Sequence, residues 1–488
     1  MKDFLLIMPE IILVLTLTFV VMSEITYSGE QLRLVSLISL TGLVGVFFQT
    51  LISYEMGSAQ VFNGALSIDG FSLFFKLVFI ALASLSILLV SHSKEIGEGR
   101  RTEYCALILA ATLAMFLVVS ASDLIIAYLS LLFLNIVAYF LTAYKGRSLS
   151  STEASVKYLA FGALGSALYL YAIAILFAHT HTLNIYEMHK ALLAHPLQAQ
   201  GFLVVFMLMF LSFGFQIGAF PMNLIVPDVI QGAPTPSSAF LSIGARAAGF
   251  AITTRFLIVI FSQPNLSSGQ WQVLGELDWT QIMSAVSGLS MLMGALLASR
   301  QMSVKRLVGN LVVAETGFLL MGIVVLDDVG ITALLFNLVV QLFALMGVFY
   351  ILSLVYNELN SDCLNDLKGM LRRAVPETVS LILFLFCLVG SPPTPGFIGK
   401  FALIGAAIRH GKYYLAMVGI LALFISMMAV ARLSYCLVGD FRRLYPPFGQ
   451  SNSRKSFLAL LVIPLLLSGI FANFVFRWAG QSLGFIFW

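Results

Sequence analysis

Lys400 lies deep in an apolar stretch that is interrupted just before it by Gly390-Ser391-Pro392-Pro393-Thr394-Pro395-Gly396. A cation held in hydrocarbon costs about 2.5–3.5 kcal/mol on insertion scales, so it persists where it faces water, a partner charge or a transported ion. The prolines beside it remove backbone donors, which is tolerated at membrane depth where protein or a wet cavity satisfies the freed carbonyls. Together these features read as a broken helix lining an ion path; the plainer alternative is a lysine that snorkels to the interface. Lys76, Lys157, Arg246, Arg255 and Arg432 also fall inside apolar runs, against only two comparably placed carboxylates, Glu10 and Glu315. Arg246 and Lys400 sit among Gly, Ala and Ser, residues that let helices approach closely, and are the strongest candidates for an ion path. Lys157 is near the start of its run, Arg432 can reach an interface, and Lys76 and Arg255 suit a packing role equally well. Buried cations with few anions point to hydrated sites or to lysines able to release a proton.

The elements that must position these groups follow from composition. The 488 residues are 60% hydrophobic and 10% charged, with mean hydropathy +0.98, whereas a soluble globule is usually about a quarter charged. Runs long enough to cross about 30 Å of hydrocarbon, continuous where barrel strands would alternate, predict an all-α polytopic membrane protein. Fourteen helices are expected, at 4–22, 32–53, 71–92, 104–121, 123–144, 155–178, 201–220, 237–262, 280–299, 306–327, 330–355, 377–409, 412–440 and 455–477. The connections are too short for a soluble catalytic or nucleotide-binding domain. The first run carries Pro9 and Glu10 and lacks a small-residue cleavage site, so it is expected to be retained. Loops bearing Lys94, Arg100, Arg101, Lys145, Arg147, Lys305, Arg306, Arg372, Arg373, Arg442 and Arg443 all alternate onto one side. The positive-inside rule then puts both termini on the non-cytoplasmic side. Basic residues spread over so many loops form no nucleic-acid patch.

The six histidines fall in loops or at helix ends, and Cys105, Cys363, Cys387 and Cys436 are widely separated. No metal, haem or redox-disulfide spacing results, and no Walker, Rossmann or GxSxG motif is present, so this chain is expected to hold no cofactor and no catalytic redox centre. Two helices carry matching interruptions. Helix seven runs Phe215-Gln216-Ile217-Gly218-Ala219-Phe220-Pro221, and helix twelve contains the breaks at Pro393 and Pro395. They lie five helices apart, an odd number, which predicts two inverted five-helix repeats with the ion site at the breaks. The repeats would occupy 104–262 and 280–440, flanked by an N-terminal three-helix segment, 1–103, and a C-terminal helix in 441–488.

Val226-Pro227-Asp228-Val229, Gly232-Ala233-Pro234-Thr235-Pro236 and Ser242-Ile243-Gly244-Ala245-Arg246 resemble the helix seven-to-eight region of the antiporter-like subunits of complex I. Ser303-Val304-Lys305-Arg306-Leu307 with Gly317-Phe318, and Pro392 through Phe401, are similar to that family's helices ten and twelve, and Ser151 through Tyr158 looks like the start of helix six in subunit N. The resemblance spans most of the chain from about residue 60. It implies a bacterial plasma-membrane subunit of NADH:quinone oxidoreductase that moves a proton while other subunits, holding NADH, FMN, iron–sulfur clusters and quinone, pass electrons. Flanking membrane subunits of that complex and the lipid bilayer are the implied partners. Related cation/proton antiporters and membrane-bound hydrogenases share the motifs, and a non-pumping structural subunit is a third reading.

Carried over by position, Lys157, Arg246 and Lys400 match family sites for buried lysines, with arginine replacing lysine at the central one. Three positions depart: Leu132 stands where the family has a helix-five glutamate, Gln216 where helix seven has a lysine, and Asn223 where a histidine is expected. In the family the glutamate and lysine pair, and removing both partners of a buried pair is tolerated far better than removing one. Arginine does not deprotonate at accessible pH, so Arg246 can hold a water chain or anion without relaying its own proton. Glu315 is the candidate acidic partner for Arg246 or Lys400.

Overall fold

A computed structural model describes residues 2–26, 32–145, 148–265, 270–274, 278–359, 361–439 and 452–483. Twelve helices among them are long and apolar enough to cross a bilayer. The expected segments 4–22 and 377–409 correspond to the helix Met8–Thr26 and to a broken pair, Val375–Val389 and Pro395–Arg409. All fourteen expected segments therefore have helical counterparts. Arg147, Arg442 and Arg443, used in the charge argument, lie outside the described residues.

Several elements exceed the expectation. Helix six starts at Leu149, six residues before its apolar run, because the polar turn that follows the extended N-cap Ser148 can be helical in water. A ten-residue surface helix, Ile185–Ala194, is capped by Asn184, whose side chain accepts from the N–H groups of Tyr186 and Glu187. Two short antiparallel hairpins join Ala59–Val61 to Leu66–Ile68 and Ser262–Asn265 to Gln270–Val273. Helix seven continues past its break as Ile225–Gly232. Helix eight is composite, with Thr235–Phe240, a π-helical turn at Leu241–Ala245 and Arg246–Phe261 in one continuous run.

Helices eight (Thr235–Phe261) and ten (Val304–Val324) are buried on every side by protein, whereas helices two, six and fourteen are largely exposed. The sequence explains the central pair. In hydrocarbon no hydrophobic force drives helices together, so association relies on close packing and polar contacts. Helix eight supplies Ser, Ala, Gly and Thr along its length. Helices nine (Trp279–Arg300) and ten approach through Gly294 and Gly317, where a Cβ would overlap the facing backbone. Ser287 of helix nine donates to the Gly317 carbonyl at 2.7 Å. Polar side chains on helix ten are thereby held at the centre of the protein.

Candidate functional site

Both breaks have the same local origin. Helix seven ends at Ile217 with Gly218 in the left-handed region at φ 72°, and Pro221 follows three residues later. The first half of helix twelve ends at Val389 with Gly390 at φ 80°, and Pro393 again follows after three. Glycine adopts that conformation without the Cβ penalty and ends the helix. Pro395 opens the second half of helix twelve at its first position, where the missing N–H costs no hydrogen bond.

The prolines determine which carbonyls are orphaned. An α-helical carbonyl accepts from the N–H four residues on, so Pro392 and Pro393 deprive Leu388 and Val389. These are the two carbonyls that receive the Lys400 ammonium, at 3.0 and 2.6 Å. The Ser391 carbonyl, beyond the helix end, accepts from the Thr394 N–H at 2.9 Å and from the Thr394 hydroxyl at 2.6 Å. Lys400 is only 2% exposed and also pairs with the Glu315 carboxylate, with the Phe318 ring centroid 4.6 Å away. The ammonium is not snorkelling: a carboxylate, two carbonyls and an aromatic face enclose it.

From Glu315 the polar chain continues. Its second oxygen accepts from the Gln341 amide at 3.0 Å, and the Gln341 oxygen accepts from Arg246, whose other terminal nitrogen donates to the Val312 carbonyl at 3.1 Å. Arg246, Gln341, Glu315 and Lys400 thus form one connected line through helices eight, eleven, ten and twelve, every member at most 3% exposed. The Arg246 Nε has no acceptor among the described residues.

The remaining sequence candidates are placed elsewhere. Lys157 is not on the buried line: its side chain is 43% exposed and pairs with Glu153 at 2.6 Å and Asp228 at 3.0 Å. It lines a polar cleft of about 630 Å³ together with Lys145, Asp228, Lys305, Arg306 and Asp362. Gln216 is buried and donates to the Ala245 carbonyl at 3.3 Å. It lines a cavity of about 10 Å³ with Tyr128, Leu131, Asn135, Ser166, Tyr169 and Ser212, none of them charged; that is about the minimum for one water. Leu132 is not among the lining residues, whereas Asn135 of the same helix is. Asn223 is buried with its carbonyl oxygen unpartnered. Lys76 and Arg255 take packing roles: Lys76 pairs with Glu10 at 2.6 Å, and Arg255 grips the helix-three cap Asp69 at 2.7 and 2.9 Å.

Three residues of these buried polar contacts, Gln341, Thr316 and Glu95, carry no expectation from the sequence. Gln341 had a local signal, since Asn337 and Gln341 form an i, i+4 polar pair in an apolar run. Thr316 had none. Glu95 lies in the loop after helix three, its side chain fully buried, and meets Lys145 at 3.4 Å, Lys305 at 3.7 Å and the Thr235 N–H that opens helix eight. Burial works to raise the Glu95 carboxyl, but Lys305, Lys145 and the Thr235 donor outweigh it and hold it below the ordinary carboxylate range. For Lys145 burial works downward, and Glu95 with the Tyr356 hydroxyl raises it above the usual lysine range.

A bundle built round two broken helices and a buried lysine–carboxylate line defines an antiporter-like membrane subunit. The family profile described as "NADH:quinone oxidoreductase/Mrp antiporter, TM" matches residues 121–426, and the chain belongs to that family. It is 33% identical to NADH-quinone oxidoreductase subunit N of Chlorobium chlorochromatii (strain CaD3), covering 95% of this chain and 89% of that one. It is 32% identical to NAD(P)H-quinone oxidoreductase subunit 2 of Thermosynechococcus vestitus (strain NIES-2133 / IAM M-273 / BP-1), covering 96% and 91%. In fold it is similar to a chain of respiratory complex I from Thermus thermophilus, with TM-score 0.79, 23% identity and coverage of 96% and 98%. A chain of the Mrp complex from Dietzia sp. DQ12-45-1b shares the fold at TM-score 0.85 and 16% identity, covering 99% and 96%.

Proposed function

We propose that this chain is a membrane subunit of an NADH:quinone oxidoreductase of a bacterial inner membrane, and that it moves protons along the line from Arg246 through Gln341 and Glu315 to Lys400. The observation that carries the reading is the Glu315–Lys400 pair seated on the carbonyls freed by Pro392 and Pro393. An acid and a base in contact can exchange a proton, and the broken helix supplies acceptors that keep the ammonium in place between exchanges. Arg246 holds charge and orients the line without giving up its own proton. The open Arg246 Nε is a donor available to water on that route.

The first half of the protein, in this reading, does not conduct through a lysine–glutamate pair, because the surroundings of Gln216 are neutral and nearly filled. The matching Gly-x-x-Pro breaks support two inverted repeats at 104–262 and 280–440, and the lysine-rich cleft beside Lys305 is assigned to the cytoplasmic side, with both termini opposite. NADH, FMN, iron–sulfur clusters and quinone belong to other subunits. The test is to reconstitute the complex and count protons moved per NADH for wild type and Lys400→Ala. A reduced yield with assembly and electron transfer intact is expected; an unchanged yield rejects a transport role for Lys400.

A further inference from the structure

The two breaks are closed by different chemistry, and helix ten serves both. At helix twelve, the carbonyls orphaned by Pro392 and Pro393 are closed by an ammonium whose counterion is Glu315. At helix seven, Pro221 deprives the Ile217 carbonyl, and the group that fills the vacancy is the hydroxyl of the very next residue, Thr316, at 2.8 Å. Ser290 of helix nine receives the Phe220 N–H at 3.0 Å on the other side of the same break. No charge touches these helix-seven groups.

Thr316 has a second acceptor within reach, the Val312 carbonyl at 3.1 Å, which also receives Arg246 at 3.1 Å. A threonine hydroxyl has one proton to donate. Val312 already takes its helical N–H and the guanidinium, so the proton is directed to Ile217. If Arg246 withdraws from Val312, that carbonyl gains capacity and the hydroxyl can turn back to it, leaving Ile217 open. The Thr316 side chain is fully buried, so solvent cannot substitute freely.

We infer that Thr316 is a positioning residue that ties the helix-seven break to the Arg246–Glu315–Lys400 line, a neutral counterpart of Lys400 at the opposite break. It deepens the proposed proton-moving role and rests on it. Movement of charge along the line changes what Val312 can accept, and Thr316 passes that change to Ile217 at the end of helix seven.

The test uses the assembled complex with Thr316→Val, Thr316→Ala and Thr316→Ser, measuring protons per NADH and the pH profile of coupled turnover. T316A and T316S differ by the hydroxyl alone. The expected result is a proton yield lowered at least twofold and a displaced pH profile in T316V and T316A, with electron transfer retained, and both readouts restored in T316S. Wild-type yield and profile in T316A overturn the inference. So does failure of T316V and T316A to assemble while T316S assembles normally, because the hydroxyl would then serve folding only. Lys400→Ala is measured in parallel: if it lowers the yield and T316A does not, the Thr316 link fails alone, whereas an unaffected K400A removes the proton path on which it rests.

Discussion

Replacing Lys400 and Glu315 singly and together gives a thermodynamic signature of their pairing. Lys400→Met leaves the Glu315 anion in a buried site with the Gln341 amide as its remaining close donor, and also strands the Leu388 and Val389 carbonyls. Breaking a buried pair by removing one partner costs about 3–5 kcal/mol, and each stranded carbonyl adds about 1–3 kcal/mol unless water reaches it. Lys400→Met is therefore expected at or above about 5 kcal/mol. Glu315→Leu strands an ammonium that keeps both carbonyl acceptors, and belongs nearer about 3 kcal/mol. In the double variant no charge is left unpaired and the two carbonyls remain the main loss, about 2–6 kcal/mol. The singles then sum to more than the double by about 2 kcal/mol or more, within the range of contacting residues. Denaturant unfolding of the purified protein in micelles, followed for the wild type and the three variants, yields the coupling. Additivity within about 0.5 kcal/mol would refute a direct charge pair and with it the proposed acid–base exchange.

Three further outcomes are expected. Asp69→Ala strands Arg255 in the packed end of helix eight and should destabilise the protein by about 3–5 kcal/mol, yet leave protons per NADH at the wild-type value in whatever complex assembles. Asn135→Glu with Gln216→Lys introduces opposite charges into the neutral cavity that both residues line, and is expected to alter the proton yield; an identical yield from the assembled complex would refute the reading that the first half lacks only such a pair. Glu95 predicts a pH window. Its folded-state carboxyl is depressed, so its contribution is present above the unfolded value of about 4.3 and is lost as pH falls through the lower folded value. Lys145 is raised, so its contribution is full below about 10.4 and fades as pH rises past the folded value. The stabilisation from the Glu95–Lys145 contact should be flat between those limits, and Glu95→Gln should remove it throughout that window; a wild-type unfolding curve at pH 7 would remove Glu95 as the anchor of Lys145 and Lys305.

What was legible depended on whether the signal was local. Gly218, Pro221, Gly390, Pro393 and Pro395 act on their own backbone, so both breaks could be read from the chain, and Lys400 beside one of them was already conspicuous. Glu315 was conspicuous as a carboxylate in an apolar run, and its contact with Lys400 is one of the two pairings open to it. Gln341 was passed over because an uncharged amide in a long apolar helix resembles a satisfied packing residue. Lys157 matches a family site for buried lysines, yet it stands near the start of its apolar run, where Glu153 one turn before it and Asp228 from helix seven hold its ammonium at a cleft wall. The roles of Glu10, Asp69 and Glu95 depend on contacts with residues 66, 186 and 210 positions away, and nothing in their neighbourhoods announces those partners. The π-helical turn before Arg246 likewise depends on packing around helix eight.

The buried line has one uncharged link, Gln341, and cutting it tests the proton path without removing a charge. Gln341→Met keeps the side-chain length and deletes both the amide donor to Glu315 and the acceptor from Arg246. Protons moved per NADH should fall in the reconstituted complex while electron transfer from NADH to quinone continues. A full proton yield from an assembled Gln341→Met complex would contradict conduction along Arg246, Gln341, Glu315 and Lys400.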